Sequence, residues 1–399
     1  MLQGIRILSF THFLQGPSAS QLLADLGAEV IKVEPVNGSF ERAWSAPDNF
    51  VGDDSTFFIL ANRNVKSIAI DLKAQDLKPA LEELIKSADV LIESFRPGAM
   101  NRLGLGYEDA REINPRLIYC SLSGYGSDGP YKNRPGQDVL IQAMSGLAAA
   151  TGGANQPPTP AGASLVDQHA AVLGTMGILA ALFKRERTSE GTHIESNLLN
   201  AALDLQIEPL GYFLNGAIPS RSPSNISSGY YKAPYGVFET KDGYICLSIN
   251  SPQVLAMALN DPWFNGIEAA DELDRREEIN TRVAKHIKER SSSELTAVFE
   301  ENNIWYAPVN SYQEVVNDPQ VLHNESFLDI ELRNDQQAKV LAHPVKYDGR
   351  RPDLHSAPPL LGQHTREVLE SVGYTHQEIE QLFADRQILL ADQEVRRDG

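Results

Sequence analysis

The sequence predicts an α/β protein with a large, mostly parallel sheet domain and a smaller α+β unit. Three observations carry this. Short apolar strand-like runs alternate with helix-like segments through the first third of the chain, the signature of βαβ units. A hairpin signal and a long charged helical stretch follow in the second half. At 399 residues there is room for two or three units, each with its own core.

The elements follow in order. Ile5 to Phe10 reads as a buried strand; Gly16 and Pro17 then lead into a helical pattern at Leu22, Leu23 and Leu26 that ends at Gly27. AEVIKVE and SIAIDL are the second and third strands. Leu77 to Ser87 places Leu77, Ala80, Leu81, Leu84 and Ile85 at helical spacing. ADVLIESF and RLIYCSLS are two more strands, with a short helix over Tyr107 to Ile113 between them. Asp167 to Phe183 is a helix with few polar residues, expected to be buried on nearly all sides. YGVFETKDGYICLSI is two β runs joined by Lys-Asp-Gly, a hairpin. Asp271 to Asn302 is charged and helical, and Glu367 to Leu390 is helical again. The expected division is a large domain over 1–205, a linker over 206–228, a small α+β domain over 229–318, a return linker over 319–358, and C-terminal helices over 359–399 that rejoin the large domain.

Composition narrows the chemistry. A net charge of −18 argues against broad nucleic-acid or anionic-membrane binding. Two cysteines, Cys120 and Cys246, are too few for a disulfide framework, so a reducing, cytoplasmic setting is expected. The longest apolar segment, Ala170 to Phe183, contains two glycines and is short for a membrane span. No Gly-x-Gly-x-x-Gly follows the first strand and no P-loop occurs, so neither a nicotinamide nor an ATP enzyme is expected. No Gly-x-Ser-x-Gly elbow is present. The nine histidines lack metal-ligand spacing, and no metal is expected.

Two acids stand out between Pro135 and Phe183. Asp138 and Asp167 lie in apolar or Gly-rich surroundings, each before a helix-like run. An Asp there is a natural helix cap. A carboxylate at a helix N-terminus is also favoured in its ionised form, and an ionised carboxylate can attack an activated acyl group. Both roles stand open for Asp167 on its residues alone. Arg96, Arg102, Arg63 and Lys66 lie near strand ends, where cations can hold phosphates or simply face solvent.

Several pieces, in order, resemble the class III CoA-transferase family: GIRILSFTHFLQGPSASQLLADLGAEVIKVEP, ANRNVKSIAIDLK, ADVLIESFRPGAMNRLGLGYE, INPRLIYCSLSGYGSDGPY, PGQDVLIQAMSGLAAATG, GILAALFKRERTSEGTHIE, APYGVFETKDGY and PPLLGQHTREVLESVGYTHQEI. The resemblance runs almost end to end. It implies a Rossmann-like large domain, a small domain between two linkers, and an interlocked homodimer. It also implies transfer of coenzyme A from an acyl-CoA to a carboxylic acid. Asp167 matches the family's nucleophile and Asp138 a supporting acid. The implied mechanism is ping-pong, through a mixed anhydride and an aspartyl-CoA thioester, with water excluded.

For CoA, the resemblance implies Arg102 on the phosphates, Ser94 and Phe95 near the nucleotide, and Ile70 beside the adenine. Leu14 occupies the place of a strand-end Gln of formyl-CoA transferase, with Gln15 adjacent, and Pro35 replaces an Arg. INSPQVL lacks the glycine run of that enzyme's lid. These departures speak against formyl-CoA and oxalate. Acyl-CoA racemases of the same fold place a His before Asp138, where this chain has Gln137. A glutamine cannot act as a base. The alternatives are such a racemase and a CoA-binding protein without catalysis.

Overall fold

The computed structural model describes residues 1–46, 48–218, 221 and 230–391. The chain forms two compact units. One comprises 1–141, 164–205 and 322–399; the other comprises 142–163 and 206–321.

The first unit is built on a seven-stranded sheet. Its strands are β1 (Arg6–Phe10), β2 (Glu29–Glu34), β3 (Val65–Ile70), β4 (Val90–Glu93), β5 (Ile118–Ser123) and β6 (Thr192–Asn197). These six are mutually parallel, in the order β3-β2-β1-β4-β5-β6. The order reverses between β1 and β4, and ligands of such sheets bind outside the carboxyl ends of the strands at that reversal. Both faces are covered, which is why the strands read as nearly unbroken apolar runs. Alternation along β1 shows this: Leu8 and Phe10 enter one core, and Ile7 the opposite one.

On the Leu8 face lie α2 (Lys78–Ser87), α3 (Tyr107–Ile113), α11 (Thr365–Ser371) and α12 (His376–Ala384), through Leu81, Leu84, Ala110, Leu369 and Ile379. On the Ile7 face lie α1 (Gln15–Asp25) and α5 (Leu165–Thr188), through Leu23, Ala24, Ile178, Ala181 and Leu182. At 24 residues, α5 outruns the apolar segment Ala170 to Phe183 and is long and apolar enough to cross a membrane by composition; half of that apolar window is buried in the protein. The expectation of burial on nearly all sides fails. Val172, Met176 and Phe183 are 51%, 60% and 61% exposed. The sheet covers only one face of the helix, and nothing in the described chain covers the other.

Asp25, the last residue of α1, carries a carboxylate at the helix end where negative charge is least favoured. It is buried and held by Arg63 (3.0 and 2.6 Å), Asn64 (2.9 Å) and His343 (3.3 Å). Burial alone would raise its pKa, but the bonds from His343 and Arg63 prevail and lower it. The strand pair β10 (Phe327–Glu331) and β11 (Gln337–Leu341) precedes this return of the chain. Further on, Thr365 Oγ1 accepts the Ala69 N–H, and His364 exchanges two bonds with Ser67. Finally β12 (Ile388–Leu389) pairs antiparallel with β3. The stretch expected to be helical to Leu390 thus ends in an edge strand.

In the second unit, β7 (Gly236–Glu239) and β8 (Tyr244–Leu247) form the expected hairpin, with β9 (Tyr306–Pro308) on the outer side of β8. Helices α8 (Pro252–Ala258), α9 (Arg276–Lys288) and α10 (Ser292–Glu301) complete a core of Phe238, Ile245, Leu255, Phe264, Val283 and Phe299. The span 206–228, read as a linker, opens with a helix, α7 (Ile207–Leu214), following α6 (Leu198–Asp204). Its residues 219, 220 and 222–228 lie outside the described residues. Residues 142–163, assigned by sequence to the large domain, group with the second unit.

Candidate functional site

The strand β5 ends at Ser123 and runs into Gly124. Gly124 and Gly136 cross so closely that a Cβ on Gly136 would lie 2.5 Å from the Gly124 Cα, and one on Gly124 2.7 Å from the Gly136 Cα. Only glycine permits that approach. The crossing delivers Gln137 and Asp138 to the carboxyl end of the sheet, where Asp138 begins α4 (Asp138–Met144).

Asp138 and Asp167 divide the roles that the sequence left open. The N-cap of α5 is Ser164, whose side chain makes no capping bond. Asp138 does that work from another helix: its Oδ2 accepts the N–H groups of Val166 (2.8 Å) and Asp167 (3.0 Å). Asp167 is the third residue of α5 and caps nothing. No hydrogen bond or ion pair reaches its carboxylate among the described residues. It is 8% exposed, so water supports it little. Burial, and then the negative charge of Asp138, push its pKa up to about 7. This reverses the expectation that the helix N-terminus keeps Asp167 ionised. The helix field acts on it, but desolvation and a like charge outweigh that field. A carboxylate without donors in a poorly hydrated position is a stronger nucleophile when ionised than a capped one.

The first turn of α5 is docked on α1. Gln168 Nε2 donates to Ser18 Oγ at 3.2 Å, and His169 Nε2 pairs with Asp204 Oδ2 at 2.7 Å. Leu14 is the N-cap of α1 and Gln15 its first residue, so both lie at this helix start. Ser94 follows β4 and accepts the His12 N–H at 3.2 Å, which brings it beside the end of β1. The Phe95 ring meets that of His12 at 5.9 Å between centroids. Arg102, closing the short helix Ala99–Arg102, is exposed and makes no ion pair among the described residues. Ile70 ends β3, is 1% exposed and belongs to the main core, two strands away from β1 in the sheet. The residues near Asp167 and Ser94 and Phe95, which the resemblance implies for the nucleotide, thus share the carboxyl end of one sheet. Arg102 follows the same strand as Ser94, and Ile70 lies furthest off.

Sequence reasoning did not single out Glu93. It ends β4 and its pKa is pushed up to about 7 by burial, which bonds to Ser121 and the Phe95 N–H only partly offset. It lines a cavity of about 590 Å³ with Phe95, Ser121 and His193. That cavity does not reach Asp138 or Asp167. Its other acids, Glu108, Asp109 and Glu195, face a single Arg96, a poor match for the phosphates of CoA. The signal for Glu93 was available: it is an acid at the carboxyl end of an otherwise apolar strand. His12, whose pKa burial lowers, likewise followed the first strand. No group of acids, histidines or cysteines suited to a metal ion occurs among the described residues.

A family model described as CoA-transferase family III matches residues 2–365. Succinyl-CoA:glutarate CoA-transferase of Mus musculus is 36% identical over 384 residues, spanning 93% of this chain and 86% of that protein. Formyl-CoA:oxalate CoA-transferase of Shigella sonnei is 31% identical, spanning 95% and 97%. Among solved structures, a CAIB/BAIF family protein from Brucella suis superposes with a TM-score of 0.81 at 28% identity, covering 93% of this chain and 99% of that one.

Proposed function

The chain belongs to the class III CoA-transferases, enzymes that move CoA between an acyl-CoA and an acid, and from that premise we propose a ping-pong reaction carried by Asp167. The observation that carries it is the buried carboxylate of Asp167, without donors, beside a capping Asp138. The ionised carboxylate attacks the thioester carbonyl of the donor. The C–S bond breaks, CoA thiolate leaves with the electron pair, and a mixed anhydride remains. The thiolate attacks the aspartyl carbonyl, expelling the donor acid as its carboxylate and leaving an aspartyl-CoA thioester. The acceptor carboxylate attacks that thioester, and the same two steps run in reverse. Charge balances throughout, and no proton or metal is needed. Asp138 holds the α5 start, and with it Asp167, in place.

Arg102 is proposed to meet the CoA phosphates, Ser94 and Phe95 the nucleotide, Leu14 and Gln15 the reacting end, and Ile70 the adenine side. Succinyl-CoA and glutarate form the first pair to test, because relatives named for them are 36% and 35% identical to this chain. The test is incubation with the acyl-CoA followed by hydroxylamine. Modification confined to the peptide containing Asp167 supports the reading; exchange of the acyl α-proton into deuterated water without modification overturns it.

The raised pKa has a kinetic consequence. Only the ionised form attacks, so kcat/KM for the acyl-CoA is expected to be half-maximal near pH 7. Below that it falls about tenfold per pH unit. A flat profile between pH 5.5 and 8.5 would count against Asp167 as the titrating nucleophile.

The partner is proposed to be a second copy of the chain, in an interlocked homodimer that works in the reducing cytoplasm. The uncovered apolar stripe Val172, Met176 and Phe183 supports this, since a helix apolar all round calls for cover on both sides. The expected result of Met176→Glu is a smaller species by analytical ultracentrifugation. A wild-type protein that sediments as a monomer at micromolar concentration would exclude the dimer.

A further inference from the structure

Gln15 opens α1 and is 8% exposed, yet its Nε2 has no hydrogen-bond partner. A buried N–H left unpaired keeps the full penalty of losing its water. Such groups are rare in native proteins and call for something that completes them.

The position of this donor is specific. Helices α1 and α5 lie side by side and run in the same direction. Near their starts Gln168 bonds Ser18; further along, Leu23 and Ala24 share a core with Ile178, Ala181 and Leu182. Their N-termini are therefore neighbours. Gln15 is the first residue of α1, three before Ser18 and one turn along the same face. Asp167 is the third residue of α5, directly before Gln168. Two helix starts converge there, each with a partial positive charge, and α1 is 11 residues long. The free amide donor lies in that field, at the start of the helix beside the one that carries a carboxylate no donor serves.

We propose that Gln15 is a catalytic residue whose Nε2–H donates to the carbonyl oxygen of the acyl group under attack at Asp167. The proposal rests on the reading of Asp167 as nucleophile. As the carbonyl becomes tetrahedral its oxygen takes the negative charge, and the hydrogen bond strengthens. When the C–S bond breaks, the thiolate leaves with the electron pair and the carbonyl re-forms. No proton changes hands, so a neutral carboxamide suffices. Because Nε2 serves no other acceptor in the protein, it need not break another bond to act.

The test compares Gln15→Leu and Gln15→Ala with wild type, as full-length proteins. The donor–acceptor pair is the one that gives the wild type its highest rate in a panel starting from succinyl-CoA and glutarate. The expected result is a fall in kcat of about 10²-fold, the scale for losing one oxyanion donor. KM for the acyl-CoA stays within about twofold, and the melting temperature does not fall, because an unpaired buried donor has been removed. A purely structural role would instead lower the melting temperature and leave kcat intact in the folded fraction. Gln15→Leu turning over within about threefold of wild type overturns the proposal, as does a kcat loss that tracks a loss of stability. If hydroxylamine traps the wild type at Asp167 while Gln15→Leu is unslowed, only the Gln15 role falls. If the wild type is never trapped at Asp167, the nucleophile reading falls and the Gln15 role with it.

Discussion

Alanine at position 167 is expected to abolish CoA transfer, lowering kcat by at least about 10³-fold, while the protein stays folded. Loss of a covalent nucleophile has effects on this scale or larger, because the steps beyond it have no other route. The fold is expected to survive because the Asp167 side chain makes no capping bond, and the cap of α5 comes from Asp138. The variant should even gain stability. The folded-state pKa of Asp167 is raised to about 7 from the ordinary aspartate value of 3.8. A raised acid pKa means that the native state binds the proton more tightly than the unfolded state. Stability therefore falls as pH rises from about 4 to 7, by at most about 4 kcal/mol. Asp167→Asn, neutral at every pH, should melt higher than wild type at pH 8, and the gap should close as pH drops below 7. Wild-type rates in Asp167→Ala, or a lower melting temperature for Asp167→Asn at pH 8, would contradict these assignments.

Asp25→Ala is the second large effect, and it concerns stability. The change leaves the Arg63 guanidinium buried, with side-chain exposure of 5%, and without its carboxylate. Breaking a buried pair from one side costs ~3–5 kcal/mol. Arg63 keeps one bond, to the Leu341 carbonyl, which does not neutralise its charge. His343 loses its partner as well. Denaturant unfolding of Asp25→Ala is expected to show that loss, and Asp25→Ala/Arg63→Met to recover part of it. A single-variant cost below about 1 kcal/mol would mean that water replaces the carboxylate. The pH direction is opposite to that of Asp167. The folded-state pKa of Asp25 is lowered, so its contribution is complete above the unfolded value and is lost as pH falls through the folded one.

The parallel sheet was legible because its strands are buried on both faces, so Ile7, Leu8, Ile31 and Val33 stand in nearly unbroken apolar runs. The hairpin of the second unit was legible from its turn residues. The edge strand Ile388–Leu389 was not, since two residues carry no period and their pairing with Ile70 and Ala69 is set by tertiary contact. Nor was the grouping of 142–163 with the second unit, which no local signal encodes. At the site, Asp138 and Asp167 stood out as acids in apolar surroundings, but their roles did not. Which of them caps α5 depends on the Gly124–Gly136 crossing, a contact between loops. The raised pKa of Asp167 depends on burial, which a sequence states only for whole elements. Gln15 was found as a position, whereas its unpaired donor is visible only in three dimensions.

The pairing of β12 with β3 sets a clock on the nascent chain. Ser67 meets His364, and Asp25 meets His343, across separations of 297 and 318 residues. At a synthesis rate of ~5–20 residues per second, roughly 15–60 s separate the two partners on the ribosome. Once β6 has been made, β3 remains the open edge of an otherwise complete parallel sheet until Ile388 and Leu389 arrive, a surface prone to pairing with other chains. The whole second unit is made within the same interval. Chaperone demand should therefore fall on the half-made protein, and shortening the chain before residue 388 should cost soluble yield more than it costs the core.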